Sequence, residues 1–113
     1  MIDSYDFGQI VINGRRYTSD VIVFSDRVRD SWWRREGHRL HVEDIEGAVQ
    51  EEKPEVLVVG TGYSGLMKVL PETVEYLRGK GVKLVVERTR EACETFNRLV
   101  GSKRVVAALH LTC

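Results

Sequence analysis

The residues with the clearest potential for chemistry are the glycines of Gly60-Thr61-Gly62-Tyr63-Ser64-Gly65, which form a G-x-G-x-x-G motif directly after an apolar run. In dinucleotide-binding folds such glycines let the backbone approach a pyrophosphate, and free amides point toward it. Glu87 follows the motif at roughly 20 residues, where that fold places a carboxylate for the ribose. The same glycines also suit a tight turn that packs against a neighbouring segment. The motif therefore leaves a ligand site and a structural turn as alternatives.

Three features argue against a dinucleotide site. Pro71 predicts that the next helix begins well after Gly65, so that no helix N-terminus would face a phosphate. The intervening residues 66–70 are mostly apolar and are expected to pack, and the chain has room for only one mononucleotide-binding half. We therefore expect no cofactor. A contact with an anion or a small molecule stays possible, since ligands of α/β proteins bind at the carboxyl ends of strands.

A second candidate is the segment around two adjacent tryptophans, Trp32 and Trp33, which is rich in arginine. Tryptophan and arginine are frequent at binding hot spots, and basic residues beside aromatics can also stack single-stranded nucleic acid. Acidic residues interrupt this segment, however, and the 17 basic residues of the chain balance 17 acidic ones, so we expect no nucleic-acid partner. Adjacent side chains point to different sides, which predicts one tryptophan in the core and the other exposed. The segment is expected to combine a structural and a ligand-facing role.

No set of residues completes a catalytic or metal site. The three histidines, His38, His41 and His110, lack metal-ligand spacing, and His110 lies in an apolar strand, where a hydrogen-bonded core histidine is expected. Cys93 falls on an apolar helix face and is expected to be an inert buried thiol, whereas Cys113 should be exposed. Ser64 lacks the spacing of a nucleophile elbow. We therefore expect no catalytic residues and no metal.

The elements that must position these residues follow from periodicity and turn signals. Asn13-Gly14 between two alternating runs predicts a β-hairpin. The apolar residues of the last helix recur on one face, and Thr89 is its expected N-cap. Residues 26–39 have neither a strand nor a helix period and predict an irregular functional segment. The expected strands are 7–12, 15–18, 20–25, 55–59, 83–87 and 104–111, and the expected helices are 43–52, 71–78 and one from Thr89 to about Val100.

This order predicts a single α/β domain with a β-rich part at about 1–42 and a βαβαβ-like part at about 55–113. A length of 113 residues suits one domain. The first residues have no features of a targeting peptide, and no apolar run approaches the length of a membrane span. We therefore expect a cytoplasmic location without membrane association.

Four motifs resemble one known family over nearly the whole chain. They are Phe7-Gly8-x-Ile10-x-Ile12-x-Gly14-x-x-Tyr17-x-x-Asp20-Val21-Ile22, Trp33-Arg34-x-x-Gly37-His38, Gly60-Thr61-Gly62, and the final Arg104-Val105-Val106-Ala107-Ala108-Leu109-His110-Leu111-Thr112-Cys113. They are similar to the small domain shared by mitochondrial complex I assembly factor 3, the adipogenesis-associated domain protein, and bacterial and archaeal proteins. The resemblance implies a three-layer α/β domain, with a mixed central sheet covered by helices and an additional N-terminal β-hairpin layer. It implies protein partners and no established enzymatic activity, and it allows an antiparallel last strand.

Two functional hypotheses follow. The first is a non-enzymatic protein-binding or assembly-factor-like module whose surface is formed by Gly60, Thr61, Gly62, Trp33, Arg34 and His38. The alternative is a small-molecule or anion-binding enzyme that uses the Gly60-Thr61-Gly62 loop. The first hypothesis requires the glycine loop and the tryptophan-arginine segment to lie on the same side of the molecule.

Overall fold

A computed structural model describes residues 1–113, with ten strands and three helices. The strands are β1 Ile2–Asp6, β2 Gln9–Ile12, β3 Arg15–Tyr17, β4 Val21–Val23, β5 Val28–Arg29, β6 Arg39–Leu40, β7 Val56–Gly60, β8 Lys68–Val69, β9 Lys83–Glu87 and β10 Val105–Leu109. The helices are α1 Val42–Glu52, α2 Pro71–Gly79 and α3 Thr89–Leu99.

A five-stranded central sheet has the order β5-β4-β10-β7-β9. Strands β10, β7 and β9 run parallel to one another, whereas β4 pairs antiparallel with β10 and β5 antiparallel with β4. Every residue of β7 and β10 is buried, which explains their unbroken apolar runs. The sheet is therefore mixed because of β4 and β5. The last strand, whose direction the sequence left open, runs parallel to its neighbour β7.

Alternate residues of β10 separate two hydrophobic cores. Val105, Ala107 and Leu109 face a core that contains Phe96 of α3 and the inward side chains of β1 and β2. Val106 and Ala108 face the opposite core, which α1, α2 and Trp32 complete. The layers are thus α1 and α2, the central sheet, and α3 with the β1-β2-β3 sheet. The three-layer prediction, including the N-terminal β layer, is confirmed.

The N-terminal sheet contains the predicted hairpin and one additional strand. Asn13 and Gly14 connect β2 to β3 with positive φ angles of 50° and 81°, as a type I′ turn requires. Strand β1 pairs antiparallel with β2 and was not predicted. Its register shifts between Ile2 and Ser4, so its buried residues, Ile2 and Tyr5, do not show a period of two.

Two further details differ from the prediction. Thr89 is the first residue of α3 rather than its N-cap, because its hydroxyl donates to the carbonyl oxygen of His110 (2.5 Å) and accepts from the amide of Gly62 (2.9 Å). Residues 26–39, predicted to be irregular, contain the two-residue strand β5, which pairs antiparallel with β4. The two-residue strands β6 and β8 pair in parallel and join the tryptophan-arginine segment to the chain after the glycine loop. None of the three helices has the length and apolarity needed to cross a membrane.

Candidate functional site

Both candidate segments meet at one edge of the central sheet, which we call the carboxyl edge. The parallel strands β7, β9 and β10 end there and are followed by Thr61, Arg88 and His110. Since β4 runs antiparallel to β10 and Val21 pairs with Leu109, Asp20 lies beside His110 at the same edge. The topology thus brings together residues that are far apart in sequence.

A buried ionic cluster of Asp20, Arg34 and His110 forms the inner part of this edge. Asp20 Oδ2 accepts a hydrogen bond from Arg34 Nη1 (2.7 Å) and lies 2.8 Å from His110 Nδ1, while Asp20 Oδ1 accepts from the amide of Leu111 (2.7 Å). The side chains of Arg34 and His110 are only 4% and 7% exposed. Arg34 also donates to the carbonyl oxygen of Gly37 through Nε and Nη2. Arg34 therefore holds its own segment in place.

Asp20 is a carboxylate in this cluster. Burial by itself raises the pKa of Asp20, but hydrogen bonds from His110, the Leu111 amide and Arg34 together outweigh burial and lower it. The ionised carboxylate balances the buried guanidinium of Arg34, as a charge in a poorly solvated site requires. The charges of the cluster thus balance, and its hydrogen bonds connect β4, β10 and the tryptophan-arginine segment.

His110 has one unsatisfied ring nitrogen. A carboxylate can only accept a hydrogen bond, so the contact with Asp20 assigns the ring proton to Nδ1. Arg34 Nη2 lies 3.0 Å from Nδ1 but donates to the carbonyl oxygen of Gly37, at 2.9 Å. Nε2 is buried and has no hydrogen-bond partner. The ring of His38 lies against the ring of His110, edge to face, with centroids 5.4 Å apart. An Asp–His pair of this kind can act in proton transfer, but no hydroxyl or thiol hydrogen-bonds to Nε2, so the pair lacks the nucleophile of a triad.

The glycine loop has the hydrogen bonds of a packed turn. The amides of Thr61 and Gly62 donate to the Glu87 carbonyl oxygen and the Thr89 hydroxyl, both at 2.9 Å. The amide of Tyr63 donates to the carbonyl oxygen of Thr112 at 2.6 Å. Gly62 has a φ of 110°, and a Cβ there would collide with the backbone of Cys113. The glycine at this position is needed because the C-terminal residues approach closely.

Glu87, the residue at the spacing of a ribose ligand, accepts a hydrogen bond from Thr95 Oγ1 at 2.6 Å. Its carboxylate is thus bound by a side chain of α3. No cluster of three or more His, Cys, Asp or Glu side chains is arranged to hold a metal ion.

The tryptophan-arginine segment places its two tryptophans on opposite sides, as adjacent positions predict. Trp32 is 6% exposed, and its Nε1 donates to the carbonyl oxygen of Asp44 at 3.0 Å. The Arg34 guanidinium lies 4.7 Å from the Trp32 ring. Trp33 is 81% exposed. The segment therefore presents one large aromatic side chain from a well-anchored backbone.

The structure brings the six expected site residues to the same edge, but at different depths. The amide of His110 donates to the carbonyl oxygen of Gly60 (3.0 Å), and the amide of Lys68 donates to the carbonyl oxygen of His38 (2.9 Å). Backbone hydrogen bonds thus join the tryptophan-arginine segment to the chain around the glycine loop. Four of the six, Gly60, Thr61, Gly62 and the Arg34 side chain, are buried. Trp33 and His38 are exposed. The accessible part of the expected surface is thus Trp33 and His38.

Sequence reasoning missed Asp20 and the exposed residues beside the glycine loop. Asp20 precedes a strand and His110 follows one, and only the antiparallel pairing of β4 with β10 makes them neighbours. Five of the six exposed large apolar side chains also lie at the carboxyl edge, and we call them the apolar rim: Phe7, Trp33, Tyr63, Leu66 and Val86. Phe7 packs edge to face on Tyr63, with ring centroids 5.7 Å apart. The amide of Leu66 donates to the carbonyl oxygen of Cys113, and Val86 is the second-last residue of β9.

Comparison with known proteins then gives the family. Residues 2–110 match the family described as "Protein of unknown function (DUF498/DUF598)". The chain belongs to this family. The DUF498/DUF598 match includes the hairpin, the tryptophan-arginine segment, the glycine loop and β10, and it confirms the resemblance drawn from the four sequence motifs.

Relatives and solved structures agree with the DUF498/DUF598 assignment. A human protein named NADH dehydrogenase (ubiquinone) 1 alpha subcomplex assembly factor 3 is 30% identical over 109 residues, which cover 95% of this chain and 58% of the human one. The protein of the same name from Xenopus tropicalis is 44% identical over 54 residues, covering 48% of this chain and 29% of that one. This chain thus spans less than two thirds of both relatives. The crystal structure of a conserved hypothetical protein from Pyrococcus horikoshii OT3 superposes with a TM-score of 0.86 at 27% identity, covering 100% of this chain and 99% of that one.

Proposed function

We propose that this protein is a non-enzymatic binding module that helps a partner protein to fold or assemble, and that it binds the partner at the carboxyl edge. The observation that carries this proposal is the apolar rim. Five of six exposed large apolar side chains lie at the edge where the two candidate segments meet. Exposed apolar side chains that gather in one region of a surface are typical of protein interaction sites.

The rim has the composition and the rigidity of a binding surface. Tryptophan and tyrosine are the residues most often found at hot spots, and Trp33 and Tyr63 are both exposed here. Beneath Trp33, the contacts of Trp32 with Asp44 and of Arg34 with Asp20 hold the backbone. A backbone that is already ordered loses little conformational entropy on binding, which favours affinity.

The relatives support an assembly role. The human and Xenopus proteins carry the name of an assembly factor for an NADH dehydrogenase. By analogy, the partner would be a subunit of a multi-subunit enzyme of that kind, bound before its incorporation. The match to the human protein extends over 95% of this chain.

The alternative, an enzyme that binds an anion or a small molecule at Gly60-Thr61-Gly62, has less support. The amides of Thr61, Gly62 and Tyr63 donate to Glu87, Thr89 and Thr112, so they are not free to bind an anion. A thermal-shift screen with nucleotides, phosphosugars and dicarboxylates tests this alternative. A ligand at a hundred times its Kd stabilises the fold by about 2.7 kcal/mol, and such a shift with one ligand class would favour the enzyme.

The proposal is tested by partner recovery in a cross-linked pull-down from cells that contain the natural partner. We expect Trp33→Ala and Tyr63→Ala each to reduce recovery at least tenfold, because hot-spot truncations cost about 2 kcal/mol or more. Arg78→Ala, on the exposed surface of α2, is the matched control and should leave recovery unchanged. Arg34→Ala is less suitable because it would leave Asp20 without its buried counter-charge. Unchanged recovery with both rim variants, each shown to be folded by circular dichroism, would contradict the proposal.

A further inference from the structure

A small cavity of about 160 Å³ lies beside the glycine loop and is lined by Tyr5, Tyr63, Arg88, Arg90 and Glu91. Sites for whole cofactors or drug-sized ligands have volumes of roughly 300–1,000 Å³. The cavity is therefore too small for a nucleotide, but it can take a single carboxylate group. It opens next to Tyr63, a member of the apolar rim.

The two arginines of this cavity have no acidic partner. Arg88 and Arg90 are exposed and form none of the ion pairs of the structure, and neither pairs with Glu91 in the same cavity. Six other arginines do pair with carboxylates: Arg27, Arg29, Arg34, Arg35, Arg39 and Arg78. A guanidinium matches the geometry of a carboxylate through two parallel hydrogen bonds. Arg88 and Arg90 are therefore free to accept an acidic side chain from outside.

Two tyrosine rings position the guanidinium of Arg90 beside an apolar surface. The Arg90 guanidinium lies 5.6 Å from the Tyr5 ring centroid and 5.9 Å from that of Tyr63. Tyr5 is fixed from below, because its hydroxyl donates to the carbonyl oxygen of Leu111 at 2.7 Å. Tyr63 also packs on Phe7, which extends the aromatic surface away from the arginines. A positive cavity thus adjoins an apolar platform.

We infer that the partner protein presents an Asp or Glu side chain next to an aromatic or aliphatic one, and that the carboxylate enters the cavity between Arg88 and Arg90 while the apolar side chain packs on Tyr63 and Phe7. This inference rests on the proposed function and adds the chemistry of the partner. An acidic protein segment fits better than nucleic acid, because the chain has a formal net charge of zero and only two basic residues, Arg88 and Arg90, line the cavity. A phosphate backbone would meet no extended basic surface here.

An NMR titration of the ¹⁵N-labelled full chain tests this inference. The probe is a blocked peptide of sequence Gly-Ser-Glu-Phe-Glu-Leu-Gly-Ser, and its control has Gln in place of both Glu residues. We expect the Glu peptide to bind at least tenfold more tightly at low salt and to shift the amide resonances of Tyr63, Gly65 and Arg90. In the double variant Arg88→Ala/Arg90→Ala this preference should disappear, whereas Arg16→Ala, an exposed arginine of β3 without an ion pair, should keep it.

Several results would overturn the inference. They are no binding of the Glu peptide to the folded wild type, equal binding of the two peptides, or a preference that persists in the double variant. Tighter binding of a short oligothymidylate at the same salt concentration, lost in the double variant, would assign the cavity to nucleic acid instead.

The pull-down separates this inference from the proposed function. If Trp33→Ala abolishes partner recovery and the double arginine variant does not change it, the edge binds a protein but needs no acidic group. If Trp33→Ala, Tyr63→Ala and the double arginine variant all leave recovery unchanged, the proposed function itself fails.

Discussion

Asp20 connects three parts of the carboxyl edge through one carboxylate, which contacts Arg34, His110 and the Leu111 amide. Replacing it with Asn removes the negative charge and leaves the Arg34 guanidinium buried without a counter-ion. We expect Asp20→Asn to lower the free energy of unfolding by about 3–5 kcal/mol at pH 7, as for other broken buried ion pairs. Urea denaturation measures this change. Asp26→Asn, at an exposed ion pair, is the control and should cost less than about 1 kcal/mol.

The contribution of Asp20 should also depend on pH. Its pKa in the folded protein lies below the ordinary value of 3.8, so the unfolded chain binds the proton first as the pH falls. The stabilisation is therefore complete above about pH 5 and is lost as the pH decreases through 3.8 and below. We expect the difference in unfolding free energy between wild type and Asp20→Asn to be constant from pH 5 to 7 and to shrink below pH 4. A difference that persists at lower pH would show that the charge of Asp20 is not what stabilises the edge.

The two cysteines should differ sharply in reactivity. Cys93 lies on the buried face of α3, and burial raises the pKa of its thiol to about 12, whereas Cys113 is exposed. Because the thiolate is the reactive form, we expect Ellman's reagent to modify one thiol rapidly in the native protein and two in denaturant. Cys113→Ser should remove the rapid reaction. Two rapidly reacting native thiols would contradict the burial of Cys93.

At the scale of elements, the glycine loop and the C-terminal residues form one packed unit. Gly62 has a positive φ and faces the backbone of Cys113, so a side chain there is both strained and obstructed. We expect Gly62→Ala to destabilise the protein by about 2 kcal/mol or more. The matched control is Gly47→Ala, at an exposed position of α1 with open space around it, which should stabilise the protein by up to about 1 kcal/mol. Equal midpoints for the two variants in thermal unfolding would show that the loop is not closed by the C-terminal residues.

The tryptophan-arginine segment has little regular structure, yet side chains order it. Asp44 of α1 accepts from the amides of His41 and Arg35 (2.8 and 3.0 Å), and its carbonyl oxygen accepts from Trp32 Nε1. A helix N-terminus thus fixes the segment that carries Trp33. This arrangement explains how a segment with no strand or helix period can still present a rigid surface.

At the scale of the whole molecule, the two cores share one sheet. Phe96 of α3 lies in one core and Leu77 of α2 lies in the other, and the strands β7 and β10 contribute side chains to both. Phe96→Ala should lower the free energy of unfolding by about 3–5 kcal/mol, and Leu77→Ala should lower it by about 2–5 kcal/mol. Because the cores are on two faces of the same strands, we expect both variants to lower the midpoint of one cooperative transition.

Two spectroscopic signals can test this cooperativity. In a Trp33→Phe background, the fluorescence of Trp32 reports the α1 and α2 side, while far-ultraviolet circular dichroism reports all elements. Coincident transitions in Phe96→Ala would support a single unit. Separate transitions would show that the two cores, on opposite faces of the central sheet, unfold independently.

Most of the fold could be predicted because its signals are local. The Asn13-Gly14 turn, the apolar runs of β7 and β9, Pro71 at the start of α2 and the helical face of α3 each lie within one element. Strand β1 was missed because its irregular pairing with β2 hides the alternation of its buried residues. The two-residue strands β6 and β8 are too short to show a period. Their pairing depends on the tertiary fold.

By itself, the sequence determined the order of the main strands and helices and, through the resemblance of its motifs, the three layers. It also supplied the two segments that we propose for binding. Only the tertiary structure decided which residues of those segments face outward. It buried Gly60 and Thr61 against neighbouring strands and α3, buried Gly62 against the C-terminal residues, and left Trp33 exposed. It also brought Asp20 to His110, because β4 runs antiparallel to β10. Periodicity reports which face of an element is apolar, but strand direction and pairing depend on contacts between residues far apart in the chain.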